Sequence, residues 1–385
     1  MHPRDRTLIP ADNIFGLLAV LLALCALAAL MDTTRIGKRI SGLGVLLFGA
    51  IAASHFGIIP RSAPLYGAIW TYLVPLAIAL FLLKADLFRV FTEGGRVLIG
   101  FFAGMVGAAA GALLGALLLD LGPNEAGIAA VFSATYTGGS LNFVAVAEAI
   151  GFNDESELAA ALAIDNVLGV GFILMMNLAA GWSLLQKRFA WRAGSIWGDS
   201  AAAEDDRTAP YTLHNLFMAL ALSAIVVAVS NWIAAALGGE QYALLVITVL
   251  MTAIATLGRK YVSQFRGEDL VAMIFMYLFF TIIGAGADIN AMLSAAPSLF
   301  AIVLIIFAVH LLVLAAAGFI FKLNYAELAV ASLACIAGPP IAAAIAILFK
   351  WRNLVVPGIL TGVLGYVLGN FIGVGIFTLL GGALQ

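Results

Sequence analysis

The chain has 385 residues, of which 63% are hydrophobic and only 10% are charged, and its net charge is −2. This composition excludes a water-soluble fold, and the absence of any Lys/Arg-rich tract excludes nucleic acid as an expected partner. Cys25 and Cys335 lie far apart inside apolar runs, which excludes a disulfide framework or a CxxC site. We therefore expect a polytopic protein of the lipid bilayer.

Twelve apolar runs follow one another along the chain, six in each half. They lie near 14–31, 41–59, 66–83, 96–120, 126–150 and 158–185, and then near 212–237, 241–257, 271–287, 296–321, 325–349 and 355–381. The first run contains Ala26-Leu27-Ala28, as a cleaved signal peptide would. Because this run has a counterpart in the second half, we interpret it as a retained membrane helix.

The two halves carry matching sequences about 201 residues apart. The matches pair Asn13-Ile14-Phe15 with Asn215-Leu216-Phe217, Lys84-Ala85-Asp86 with Gly286-Ala287-Asp288, and residues 134–140 with residues 335–341. The last pair breaks a hydrophobic run in each half, and such paired breaks are typical of secondary transporters, which bind substrate where the breaks meet. We therefore predict a first repeat over 1–185 with a break at 136–142, a cytoplasmic linker over 186–211, and a second repeat over 212–385 with a break at 337–341.

The basic residues distinguish two topologies. If all twelve runs cross the membrane, the 19 Lys and Arg residues divide poorly between its two sides. If 126–150 and 325–349 are instead re-entrant hairpins, only Arg4, Arg6 and Arg61 lie on one side. That distribution is a clear positive-inside signal and places both termini outside the cytoplasm. Length alone leaves the choice open, because 25 residues would also cross once as a broken helix.

The preferred topology predicts an all-α polytopic membrane protein of the bacterial inner membrane. It contains two inverted repeats, each with about five transmembrane helices plus a re-entrant hairpin or a broken helix. Backbone that is irregular at this depth must be surrounded by protein or by a water-filled cavity. Both breaks are therefore expected inside the helix bundle.

The breaks uncover polar backbone groups. Gly138-Gly139 permits positive φ, and Ser140 is placed to cap a half-helix over 141–150, whose N-terminus suits a carboxylate or a phosphate. Pro339-Pro340 fits the first turn of a second half-helix and leaves carbonyl groups free for a cation. Plain kinks relieved by neighbouring helices are the structural alternative. The predicted substrate-binding residues are Tyr136, Thr137, Gly138, Gly139, Ser140, Asn142, Gly338, Pro339, Pro340 and Asn166.

Asp165 and Asn166 form a second polar candidate inside an apolar run. A carboxylate at this depth is costly unless it is paired, protonated or bound to an ion. Hydrogen bonding to a neighbouring helix is again the structural alternative. The predicted cation ligands are Thr137, Asp165, Asn166, Ala337 and Gly338, and weaker site candidates are Asn177, Glu148 and Asn370. His310, alone in its run, is interpreted as a packed or hydrogen-bonded core residue.

Glycines recur at helical spacing on two of the runs. The first stripe consists of Gly100, Gly104, Gly107, Gly111 and Gly115, and the second of Gly358, Gly362, Gly365, Gly369 and Gly373. Both stripes permit close approach of helix backbones. They suit either static packing or a surface along which a transport domain moves.

The first break also carries a family resemblance. The run Ala134-Thr135-Tyr136-Thr137-Gly138-Gly139-Ser140-Leu141-Asn142, with Asp165-Asn166 downstream and Gly338-Pro339-Pro340 in the second half, resembles the uncharacterised YjcL-like membrane protein family. More distantly, the plan is similar to the sodium-coupled glutamate and citrate symporters and to the bile-acid symporters. That similarity implies an elevator mechanism, with scaffold and transport domains, and a homodimer. It implies no substrate, since the breaks lack an arginine and are less glycine-rich than those relatives.

These features favour sodium-coupled symport of a small, anionic organic solute, with no cofactor besides the coupling ion. Sodium is preferred over protons because carbonyl-rich breaks suit a hard cation. A cation/proton antiporter, or a proton-coupled transporter that uses Asp165, is the alternative. An enzyme is not expected, because no histidine begins an HExxH motif and Gly284-Ala285-Gly286-Ala287-Asp288 has one residue too many for Gly-x-Gly-Asp.

Overall fold

The computed structural model describes residues 7–33, 42–180, 187–189, 212–237, 239, 242–262, 264–287 and 289–383. Every regular element within these ranges is helical. Apart from residues 187–189, the predicted linker over 186–211 lies outside the described residues, and so does Asp288.

Within these ranges, eight α-helices lie before residue 181 and eight lie after residue 211. In the first half they are α1 Ile14–Asp32, α2 Gly42–His55, α3 Pro64–Leu82 with a π-helical turn at Ile69–Leu73, α4 Leu87–Glu93, α5 Gly95–Leu118, α6 Glu125–Gly138, α7 Ser140–Ala149 and α8 Glu155–Ala180. In the second half they are α9 Leu213–Leu237, α10 Ala243–Leu257, α11 Arg259–Val262, α12 Glu268–Gly286, α13 Ile289–Ile320, α14 Tyr325–Ile336, α15 Pro339–Leu348 and α16 Val355–Leu379. Each half thus has a pair of short helices, α6–α7 and α14–α15, at the predicted break.

Eight helices within the described ranges are long and apolar enough to cross a membrane. The sequence predicts ten spanning helices, and the difference lies in α2 and α10. These helices have 14 and 15 residues and are therefore ~21–23 Å long, shorter than a hydrocarbon core of ~30 Å. The chain is a multi-pass membrane protein.

The chain forms two compact units. The first comprises residues 1–78, 152–171 and 269–300 and contains α1, α2, most of α3 and most of α12. Within it, α2 and α12 approach so closely that a Cβ added at Gly284 would lie 2.7 Å from the Leu47 carbonyl oxygen. The Trp70 and Phe279 rings pack nearby with their centroids 5.0 Å apart.

The second unit comprises residues 79–151, 172–268 and 301–385. The first glycine stripe packs α5 against α13 here, since a Cβ at Gly111 would lie 2.7 Å from Ile306 Cα and one at Gly115 would lie 2.5 Å from Ile302 Cγ1. Residue numbers fall along α13 as they rise along α5, so the two helices are antiparallel. This stripe forms close helix packing.

His310 lies in the same contact and is fully buried. Its Nδ1 is 2.9 Å from the Gly104 carbonyl oxygen, and its Nε2 is 2.8 Å from Ser332 Oγ. Because a carbonyl only accepts hydrogen bonds, Nδ1 carries the proton. His310 thus has the hydrogen-bonded core position that the sequence predicts.

Each pair of short helices folds back on itself as a helical hairpin. Ala134 on α6 and Val146 on α7 lie 2.9 and 2.7 Å from the position that a Cβ at Gly373 would take, although a continuous helix would hold them ~18 Å apart. Val330 on α14 and Ala342 on α15 meet Gly358 in the same way, at 2.7 and 3.4 Å. We call α6–α7 the first hairpin and α14–α15 the second hairpin.

The two hairpins start at opposite ends of the second unit. The first follows the C-terminus of α5, and the second follows the C-terminus of α13, which runs antiparallel to α5. The second hairpin also begins and ends at the same place, because the rings of Tyr325 and Trp351 are 6.3 Å apart. Their turns can therefore meet between the two ends.

Arg96 links the start of α5 to the start of the second hairpin by an ion pair and hydrogen bonds. Its Nε donates to Glu327 Oε1 at 3.1 Å, and its Nη2 donates to the carbonyl oxygens of Phe321 and Lys322, each at 2.7 Å. Glu327 also completes a capping box with Asn324 at the N-terminus of α14. One guanidinium thus orders the loop that leads into the hairpin.

Replacing Arg96 with Leu is expected to lower the free energy of unfolding by about 1–3 kcal/mol, because the buried Glu327 carboxylate would lose its charged partner. Thermal unfolding in detergent measures the loss. Arg89→Leu is the matched control, since the Arg89–Glu93 pair is exposed and such pairs contribute about 0–1 kcal/mol. Equal losses in the two variants would contradict this role of Arg96.

Candidate functional site

The turns of the two hairpins lie against each other. Gly139 has φ 97° and ψ 176°, and Gly338 has φ 79° and ψ −177°, a backbone region that is essentially restricted to glycine. A Cβ added at Gly139 would lie 3.7 Å from Gly338 Cα. The two breaks therefore meet, and a half-helix begins directly after each glycine.

Helix α16 runs across both hairpins and holds the turns together. Its glycine stripe faces, in order, the arms of the second hairpin, the two turns and the arms of the first hairpin. The contacts at the turns are Gly362 with Pro339 N at 2.7 Å, Gly365 with Gly138 Cα at 2.8 Å, and Gly369 with Asn142 Nδ2 at 2.7 Å, each measured from an added Cβ. The second stripe is thus also a tightly packed surface.

The turns are buried on one side and accessible on the other. Gly138, Gly139 and Gly338 are buried. The accessible side, which we call the hairpin-tip site, consists of Ser140, Leu141, Ala337, Pro340, Ile341 and Tyr366. The Tyr366 hydroxyl lies 3.6 Å from the position of a Cβ on Gly338, and its ring centroid is 6.2 Å from that of Phe81. The Tyr366 ring therefore lies between the second turn and Phe81.

A buried chain of amides supports this site from behind. Asn142 Nδ2 donates to the Tyr366 carbonyl oxygen at 2.8 Å and to Asn370 Oδ1 at 2.7 Å. Asn370 Nδ2 donates to Thr248 Oγ1 at 3.1 Å, and Thr248 donates to the Leu244 carbonyl oxygen at 2.8 Å. The chain links α7, α16 and α10, and it fixes Asn142 beside the first turn.

Several predicted residues of the first break are held in the core. The Tyr136 ring is fully buried between Phe132 and Phe307, with centroids 5.9 and 4.9 Å away, so this placement does not support solute contact by its side chain. Thr137 is fully buried and donates to the Ser133 carbonyl oxygen at 2.8 Å. The polar groups that reach the accessible side come from the residues after the turn.

The predicted cap of the first half-helix is corrected by the structure. Ser140 is the first residue of α7, and Gly139 takes the N-cap position. The reason is the positive φ of Gly139, which keeps it outside the helix and brings Ser140 in. In the second hairpin, Pro339 and Pro340 occupy the first helical positions after Gly338, as predicted.

The remaining candidates are on α7, α8 and α16. Asp165, 6% exposed, and Asn166 are on α8 in the first unit, and Asn166 Nδ2 donates to the carbonyl oxygen of Leu162 at 2.8 Å. Glu148 is half-buried near the far end of α7. Asn177 is on α8, but its side chain lies outside the described residues. Of the weaker candidates, the structure places Asn370 next to the first turn.

Two residues of the site escape sequence reasoning. Tyr366 sits inside the second glycine stripe, where only its position directly after Gly365 would have pointed to the turn. Thr248 lies in an apolar run as an ordinary helical threonine, and no local signal connects it with Asn370, which is 122 residues away. Their roles arise from the packing of three separate helices.

Gly139→Ala is expected to lower the free energy of unfolding by about 1–3 kcal/mol, because alanine must adopt a backbone conformation that only glycine tolerates. The added methyl itself would make only ordinary contacts, the nearest at 3.7 Å, so the loss reports backbone strain. Gly171→Ala on α8 is the control, since nothing lies within 4 Å of its added Cβ. If both variants unfold at the same temperature in detergent, the strained turn is refuted.

Comparison with known proteins places the chain in a family. The family described as "Protein of unknown function (DUF819)" matches residues 16–381. The chain is also 30% identical over 387 residues to the uncharacterized membrane protein YjcL of Bacillus subtilis (strain 168). The aligned region covers 95% of this chain and 97% of that protein. The predicted YjcL-like resemblance is thereby confirmed. This chain belongs to the DUF819 family of unknown function.

Proposed function

We propose that the protein is a secondary active transporter, which moves a small, anionic organic solute by sodium-coupled symport and holds it at the hairpin-tip site. The observation that carries this proposal is the meeting of two glycine turns at an accessible position inside a membrane protein. Backbone turns at membrane depth mark binding sites in transporters that are built from two related halves.

The chemistry of the first turn favours an anion on its accessible side. Gly139 supplies no capping side chain to α7, and the N-terminus of a helix carries the positive end of the helix dipole. Such an end favours a carboxylate or a phosphate. The Tyr366 hydroxyl is a further donor on the same side. The prolines of α15 offer no N–H group, so that half-helix suits the apolar part of a solute.

The arrangement of the second unit supports an inverted repeat. The hairpins start at opposite ends of the antiparallel α5–α13 pair, as inversion of the halves requires. Contacts also gather basic residues at the end where α5 begins, namely Lys84, Arg96, Arg188, Arg259 and Lys322. The positive-inside rule favours a cytoplasmic location for this end, and we infer from it that both termini lie outside the cytoplasm of a bacterial inner membrane. The elevator motion and the homodimer rest on the distant resemblance.

Uptake into proteoliposomes tests the proposal. The purified protein is supplied with radiolabelled organic acids, amino acids and short peptides, under an inward sodium gradient, an inward proton gradient or neither. We expect uptake of an anionic solute above the background of protein-free liposomes only under the sodium gradient. Uptake that depends on neither the sodium gradient nor the proton gradient, or no uptake of any tested compound, would contradict sodium symport.

Cation/proton antiport is the second candidate, because α8 carries the buried carboxylate of Asp165. Such a carboxylate is costly in a membrane protein and commonly serves ion or proton transfer. In the same vesicles, antiport predicts a sodium-driven change of internal pH without any organic solute. Asp165→Asn would abolish that change, whereas symport predicts none in the wild-type protein.

A further inference from the structure

The amide of Asn142 has only one orientation that satisfies its neighbours. Thr248 donates its proton to the Leu244 carbonyl oxygen, so its oxygen accepts from Asn370, which must point its NH₂ group at Thr248. Asn370 therefore turns its carbonyl oxygen to Asn142. Asn142 must therefore donate to this oxygen from its own NH₂ group. The Tyr366 carbonyl only accepts hydrogen bonds, so its bond with Asn142 requires the same amide orientation.

This orientation aims Asn142 Oδ1 at the first turn, where it finds no donor. Asn142 is 2% exposed, and its Oδ1 has no hydrogen-bond partner within the described part of the chain. A side chain at Gly138 would overlap both Asn142 Oδ1 and the Gly365 carbonyl oxygen, so both oxygens lie beside Gly138. A buried acceptor without a donor costs about 1–3 kcal/mol, and such groups are rare in folded proteins.

The surroundings of this oxygen are electronegative. Helix α6 ends at Gly138, and the C-terminus of a helix carries the negative end of its dipole. Amide and carbonyl oxygens are the ligands of hard cations. All the oxygens named are neutral, so a monovalent ion suits them better than a divalent one, whose burial would require carboxylates.

We propose that Asn142 Oδ1, with the Gly365 carbonyl near it, binds a monovalent cation at the C-terminus of α6, with sodium as the coupling ion. This inference deepens the proposed symport, on which it rests, and it makes Asn142 a cation ligand in place of the solute contact predicted from the sequence. The cation lies on the C-terminal side of the first turn, and the solute anion lies on its N-terminal side. Each charge would then stabilise the binding of the other.

Sodium-dependent stabilisation of the purified protein tests this site without any solute. Thermal unfolding is followed while sodium chloride replaces choline chloride at constant ionic strength. We expect the unfolding temperature of the wild-type protein to rise with sodium in a saturable way. We expect Asn142→Ser to need at least about tenfold more sodium for half of the effect, which corresponds to about 1.4 kcal/mol of lost binding.

Asn324→Ser is the matched control. It also replaces a buried asparagine and lowers stability by weakening the cap of α14, but it lies at the start of the second hairpin, away from the first turn, so its half-saturating sodium concentration is expected to stay near the wild-type value. Equal changes in both variants, or in neither, would overturn the ligand role of Asn142. If Asn142→Ser does not fold, the wild-type protein decides: no sodium dependence would mean that a water molecule, and no ion, satisfies Oδ1.

The two proposals fail separately. Sodium-independent uptake of a solute, together with an unfolding temperature that does not depend on sodium, would refute the cation site but would still support transport. Saturable stabilisation by sodium without uptake of any solute would keep the cation site and remove symport.

Discussion

Gly365→Val is expected to destroy the contact between α16 and the first hairpin. The added Cβ would lie 2.5 Å from the Thr137 carbonyl oxygen and 2.8 Å from Gly138 Cα, and both are backbone atoms that cannot rotate away. Overpacking of this kind costs about 1–3 kcal/mol and occasionally more. We expect a loss at or above the upper end of that range in thermal unfolding, and no solute uptake by the protein that still folds.

Gly375→Val on the same helix provides the control. Nothing lies within 4 Å of its added Cβ, so the same change of residue type is expected to leave both stability and uptake close to wild type. If the Gly365 variant transports as well as the Gly375 variant, α16 does not determine the geometry of the hairpin-tip site.

Tyr366 substitutions are expected to change solute affinity without a matching loss of stability. Tyr366→Phe removes one hydroxyl donor, and a hydrogen bond to a charged group contributes about 1.5–3 kcal/mol. The half-saturating concentration for uptake should therefore rise roughly 10- to 150-fold. Tyr366→Leu also removes the ring and is expected to abolish measurable uptake. Both effects are read from concentration-dependent uptake in proteoliposomes.

Tyr325→Phe is the control that separates an effect on solute affinity from an effect on protein stability. The Tyr325 hydroxyl donates to the Met176 carbonyl oxygen at 3.2 Å, at the start of the second hairpin and away from its turn. Its loss should cost about 1 kcal/mol of stability and leave the half-saturating concentration unchanged. A shift equal to that of Tyr366→Phe would show that any lost tyrosine hydroxyl weakens uptake and would refute solute contact by Tyr366.

The hairpins could be predicted from the sequence because their signals are local. Gly139 and Gly338 take backbone conformations that other residues rarely adopt, and Pro339-Pro340 begins a helix as it does elsewhere. The matching of the two halves added that the breaks should meet. Position in the chain, residue type and repetition were sufficient for that part of the fold.

The chemistry of the site could not be predicted in the same way. The closeness of Asn142 to the turn predicts contact with the solute, whereas the orientation of its amide depends on Asn370 and Thr248, which lie on two other helices. Tyr136 stands beside the glycines in sequence, but helix geometry turns its ring into the core. The preference of serine for the N-cap predicts Ser140 at that position, but the positive φ of Gly139 makes Gly139 the N-cap. Sequence spacing reports neither side-chain direction nor partners from distant helices.

An electron cryo-microscopy map of the protein, recorded with sodium and the solute identified by uptake, tests the central claim most directly. The account predicts non-protein density at the hairpin-tip site, bounded by Gly139, Gly338 and the Tyr366 hydroxyl. Solute density elsewhere in the protein, with the two turns in contact and nothing bound beside them, would contradict it.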